Sequence, residues 1–157
     1  MALELIVPLN RQSFPTTSVK GARRIVTLCG STAKALKEFR QANLLLTLSN
    51  FLVFTIGCDT HSDTELARMG ELGSSKEDLD QLHIDKVKLS HIVYALNPTW
   101  NEKDYVGFSM GREIAVARAL EKEIWWLQSH VCSKTCNCQQ NISQLLDVNP
   151  VLVPLPE

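Results

Sequence analysis

Four short apolar runs constrain the fold more than any other feature of this chain. They are "RRIVTLCG" (residues 23–30), "FLVFTIG" (51–57), "HIVYALN" (91–97) and "EIWWL" (123–127). Each is continuous rather than alternating, and three of them end at a glycine or an asparagine. That pattern marks strands buried on both faces. Between the runs lie segments of helical period. Ala35, Phe39, Ala42 and Leu46 recur at helical spacing, with Ser31 or Thr32 placed to cap the helix. Residues 75–90 read as a second helix, with Ser75 at the N-cap and Leu79, Leu82 and Leu89 as its apolar stripe. Strands alternating with helices predict an α/β domain with a parallel sheet covered by helices on both faces. "VLVPL" near the end is expected to add a fifth strand, at an edge because of its proline. "QQNISQLLDV" is expected to form a short helix.

The 157 residues suit one domain. We assign it to residues 23–157, with a cysteine-containing C-terminal segment at 130–157. An extended arm, residues 1–22, precedes it and is available as an oligomer contact. The net charge of −1 gives no electrostatic case for nucleic acid or a membrane surface. The longest apolar region, residues 44–57, is broken by Ser49 and Asn50 and is shorter than the ~20 residues of a membrane span. The first residues lack the shape of a signal peptide, so the expected location is cytoplasmic.

In parallel sheets, ligands bind beyond the carboxyl ends of the strands. That rule selects the turns after Gly30, Gly57 and Asn97. At "LCGST", a strand turns into a helix with free amides, two hydroxyls and nearby Lys34, which is either an anion site or a plain capped helix. In "DYVGFSMGREIAVARALEK", Glu113, Val116, Ala117 and Leu120 share one helical stripe, while Arg118, Glu121 and Lys122 mark the wet side. Glu113 therefore begins the face that packs on the sheet. It is either a dipole-complementing carboxylate or a reactive one. His83 and Asp85 could reach the same cleft. Trp100 and Tyr105 could stack on a planar base or seal the core. Asp59, His61, Asp63 and Glu65 resemble metal ligands in residue type alone.

Of five cysteines, Cys29 and Cys58 follow apolar runs and read as small core residues. The other three form His130-x-Cys132-x3-Cys136-x-Cys138. Zinc, reactive thiols and incidental thiols are all compatible with this run. Its spacing departs from paired zinc knuckles, so incidental thiols are the expectation, with no metal and no cofactor.

Three segments occur in a telling order: "VTLCGST", "LDQLHIDKVKLSHIVYALN" and "YVGFSMGREIAVA". Together, over residues 23–127, they resemble the nucleoside 2-deoxyribosyltransferase-like superfamily. That group includes the transferases, the 2′-deoxynucleoside 5′-phosphate N-hydrolases and small phage and bacterial proteins with a Cys-Gly-Ser start, which look closest. The resemblance implies a flavodoxin/Rossmann-like three-layer sandwich with a parallel sheet of about five strands. It implies cleavage or transfer at the N-glycosidic bond of a 2′-deoxynucleoside or its 5′-monophosphate. The alternative is a non-catalytic nucleotide-binding or sensing protein on the same fold.

Carried over by residue, the resemblance makes Glu113 the nucleophile, within Glu113-Ile-Ala-Val-Ala117, where Ala115 replaces a usual glycine. Gly30, Ser31 and Thr32 match the turn that holds phosphate, with Lys34 in place of a usual arginine. Asn97, Tyr105, Gly107 and Ser109 would complete the substrate pocket. The family's acid on the preceding helix falls on His83, with Asp85 two residues later. The implied partner is a small nucleoside or nucleotide, and the implied assembly is a homodimer or larger.

Overall fold

A computed structural model describes residues 3–15, 21–55, 76–150 and 152–156. The main sheet has five strands: β1 (Glu4–Ile6), β2 (Ile25–Cys29), β3 (Leu52–Phe54), β4 (Ile92–Ala95) and β7 (Glu123–Trp126). Their order is β1-β7-β4-β2-β3, and every pairing is parallel. The connecting helices are α1 (Thr32–Leu48), α2 (Lys76–Leu89) and α3 (Phe108–Ala119), followed by the single turn α4 (Ser143–Leu146). A hairpin of β5 (Thr99–Trp100) and β6 (Lys103–Asp104) projects between β4 and α3. Its two turn residues, Asn101 and Glu102, both have positive φ, as a tight hairpin requires.

The apolar runs at β2, β4 and β7 are continuous because each of these strands faces two cores. On one side, Val26, Leu28, Ile92, Tyr94 and Trp125 pack on the α1 stripe of Ala35, Phe39, Ala42 and Leu46. On the other, Cys29, Val93, Ala95, Ile124 and Trp126 pack on Ile84 and Val87 of α2 and on Met110, Ile114, Val116 and Ala117 of α3. This is a three-layer α/β sandwich of flavodoxin/Rossmann-like type. Among the described residues, no helix is long and apolar enough to cross a membrane.

Three expectations need correction. The fifth strand is not "VLVPL": residues 152–156 are neither helix nor strand. The arm supplies it instead, with Glu4, Leu5 and Ile6 in register with Ile124, Trp125 and Trp126. The arm also enters the core. Phe14 stacks on Trp125 with ring centroids 5.8 Å apart, and the Tyr94 hydroxyl donates to the Val7 carbonyl. Burying one such aromatic contributes about 1.5–3 kcal/mol, enough to hold a three-residue strand at a sheet edge.

The second correction concerns α2. Its buried side chains are His83, Ile84 and Val87, whereas Leu82 and Leu89 are exposed. The third concerns α3, where the buried stripe stops at Ala117 and Leu120 is exposed as the C-cap. Arg118 on its nominal wet side instead bridges to Glu4 at 2.9 Å and ties α3 to β1. The expected turn after Gly57, the Ser75 cap and the polar run Asp59, His61, Asp63 and Glu65 lie outside the described residues.

Candidate functional site

Chain order reverses between β2 and β4, because β2 pairs β3 on one side and β4 on the other. The crevice beyond the carboxyl ends of those strands is where such sheets bind ligands. A cavity of about 300 Å³ lies there. Gly30, Ser31, Thr32, His83, Tyr105, Gly107, Ser109 and Glu113 all line it, which brings together eight of the ten residues selected from sequence.

Two helix starts meet at this cavity. After β2 the chain turns at Gly30, where a Cβ would come within 3.0 Å of the Leu96 carbonyl and 3.2 Å of the Phe39 ring. Only a glycine lets the turn pass so close to the strand beside it. Ser31 then caps α1, its hydroxyl accepting from the Lys34 amide at 3.3 Å. Gly107 is the N-cap of α3, and a Cβ on it would lie 3.1 Å from the Tyr105 hydroxyl. The first amides of a helix lack partners within it and carry the positive end of its dipole. With the Thr32 and Ser109 side chains added, this corner of the cavity suits an anion.

The same cavity is lined by Glu113, in the second turn of α3, and His83 on α2. They are 6% and 7% exposed. His83 Nδ1 and a Glu113 carboxylate oxygen are hydrogen-bonded. His83 Nε2 is buried and has no hydrogen-bond partner among the described residues. Cys29 is the third member of this cluster, and donor atoms of the three lie within 4.8 Å of one another. Burial, and then the neighbouring Glu113, push the Cys29 thiol well above its ordinary value. It stays protonated beside the carboxylate rather than acting as a thiolate.

Two sequence-selected residues stand apart. The Asn97 amide is spent on structure: it donates to Asp104 and to the Gln128 carbonyl, each at 3.0 Å, and accepts from the Gln128 amide at 3.2 Å. Asp85 accepts from Gln81 at 3.0 Å and does not line the cavity. Lys34 is also occupied, with its ammonium 4.9 Å from the Trp100 ring and 4.5 Å from the Tyr105 ring. Those aromatics therefore hold a cation.

The lining missed from sequence is mostly on α2. Leu79, Leu82 and Lys86 share one helical face with His83 and border the cavity, as does Asp80, which pairs with Arg112 at 3.4 Å. The signal was present, since His83 lies four residues after Leu79, but the leucines read as core. Phe108 and Met110 complete an apolar wall. Neither a protein-family model nor a curated protein matches the chain.

Proposed function

We propose that the cavity cleaves the N-glycosidic bond of a 2′-deoxynucleoside or its 5′-monophosphate, with Glu113 as nucleophile. One observation carries this reading: a buried, histidine-held carboxylate shares a cavity with two helix N-termini. A nucleotide has the matching layout, with an anion at one end and an electrophilic C1′ within reach of a carboxylate. In this mechanism a Glu113 oxygen bonds to C1′ as the C1′–N bond breaks and its electron pair leaves with the base. His83 orients the carboxylate through Nδ1 and gives a proton to the departing base. Water then releases the sugar, or a second base takes it, and the proton returns to His83. Leu79, Leu82, Phe108 and Met110 form the apolar wall for the base. Leu82 and Phe108 are also exposed at 56% and 63%, which gives a second copy of the chain a surface to cover in the homo-oligomer that belongs to this reading. A cytoplasmic location belongs to it as well, consistent with the free thiols.

The resemblance in sequence expects an acid where His83 stands, and this supports a second reading, nucleotide binding without turnover. Chromatography for free base after incubation with each deoxynucleoside and its monophosphate, beside calorimetry, separates the two. Base release favours the first reading. Binding heat with intact ligand favours the second.

A further inference from the structure

We propose that His130, Cys132, Cys136 and Cys138 form a structural zinc site that fastens the C-terminal segment to the sheet and to α3. This inference does not depend on the chemistry assigned to Glu113. Residues 129–142 contain no helix or strand, so the segment lacks a backbone ladder to order it. Even so, its four soft donors, one nitrogen and three sulfurs, lie within 4.8 Å of one another. Three cysteines and a histidine form a closed ligand set of the structural kind. His130 Nε2 is 3.4 Å from Cys136 Sγ and 3.9 Å from Cys138 Sγ. Those are close to the edges of a tetrahedron with Zn–S ~2.3 Å and Zn–N ~2.0–2.1 Å. Cys138 Sγ is 2.8 Å from Cys132 Sγ and 2.9 Å from Cys136 Sγ. Both separations exceed the ~2.05 Å of a disulfide, and metal entry would spread them to ~3.8 Å. One disulfide would satisfy two of these thiols and strand the third.

The surroundings are those of a ligand set. His130 turns its other ring nitrogen to Asp104, with Nδ1 2.6 Å from the carboxylate, and Asp104 is itself held by Asn97 at 3.0 Å. A carboxylate behind a histidine fixes the tautomer that leaves Nε2 free for metal. The imidazole also stacks on Trp126, centroids 4.4 Å apart. Cys132 Sγ accepts from Gln139 at 2.9 Å and from Arg118 at 3.7 Å, which offsets thiolate charge. The segment seats tightly on α3, because a Cβ at Gly111 would lie 2.3 Å from the backbone of Asn137. Asp104, on the hairpin, and Asn97, at the end of β4, thereby belong to this site rather than to the substrate cavity.

The test is metal analysis of the full, untagged chain purified from zinc-supplied medium, followed by cobalt(II) titration of the reduced, metal-stripped protein. One zinc per chain and the intense visible bands of tetrahedral thiolate-bound cobalt are expected. Cys136→Ser should lose both. Because that variant could fail to fold, Asp104→Asn is the second test. It keeps all four ligands, and should weaken zinc about 10- to 100-fold in competition with a chelator. No zinc and no cobalt bands, or a disulfide within the segment as purified, would overturn the proposal. So would an Asp104→Asn protein that holds zinc as tightly as the parent.

Discussion

His83 on α2 and Glu113 on α3 are hydrogen-bonded across thirty positions of sequence, and both side chains are buried. Nothing else in the described structure brings those two helices together through ionisable groups so far from solvent. A buried pair is costly to break from one side, because the survivor keeps its desolvation penalty.

His83→Ala therefore has two expected effects. Stability should fall by about 3 kcal/mol, since Glu113 is left without its partner. Base release should fall about 100-fold or more through loss of the proton donor. His83→Asp restores the acid that the sequence resemblance expects and should recover turnover. Urea titration and steady-state kinetics on both variants check this. Equal turnover in His83→Ala and the parent would remove His83 from the mechanism.

The two helix N-termini predict a preference for the monophosphate. A deoxynucleoside 5′-monophosphate should bind about tenfold more tightly than its nucleoside, or about 1.4 kcal/mol. Calorimetry at low and high salt reads it, and the preference should shrink as salt rises.

Gly111→Ala places a methyl group where the Asn137 backbone runs. A clash with backbone cannot be relieved by a rotamer change. The expected cost is about 1–3 kcal/mol, read as a lower Tm, together with faster zinc loss to a chelator.

Glu4 supplies the pH dependence. Burial raises its pKa, but hydrogen bonds from Arg118 and Trp126 outweigh burial and hold it below the ordinary 4.5. A depressed folded-state pKa means stability that is present above about pH 4.5 and lost as pH falls through the folded value. Amide exchange in β1 should accelerate in acid ahead of β2 and β4. Glu4→Gln should abolish that selective acid sensitivity.

The central strands β2, β4 and β7 were legible because burial on both faces leaves a run of apolar residues that no helix of that length would need, and β3 showed a similar run although it lies at an edge. The opposite edge strand, β1, was not. Glu-Leu-Ile is too short to show a period, and its partner β7 lies 120 positions away in register, Leu5 on Trp125. "VLVPL" looked better locally, and local propensity lost to the packing of Phe14 and Val7. The site split in the same way. Gly30, Ser31 and Thr32 followed from the rule that ligands lie beyond strand ends, and Glu113 from its place on the buried stripe of its helix. Asn97 obeyed that rule too, but its amide is consumed by Gln128 and Asp104. Leu79 and Leu82 line the cavity although they read as core, and their helical spacing to His83 was the signal passed over. The cysteine run was visible while its meaning was not, since the feature that turns it into a ligand set is Asp104 behind His130, from another part of the chain.

In the proposed reaction the Glu113 carboxylate attacks C1′. Its most direct test compares the parent with Glu113→Gln, which keeps shape and volume, on the deoxynucleoside or monophosphate that releases base fastest. Free base is expected from the parent and a loss of at least about a thousandfold in the variant, some 4 kcal/mol of barrier, with the fold intact by circular dichroism. Base release at the parent's rate from Glu113→Gln would contradict it.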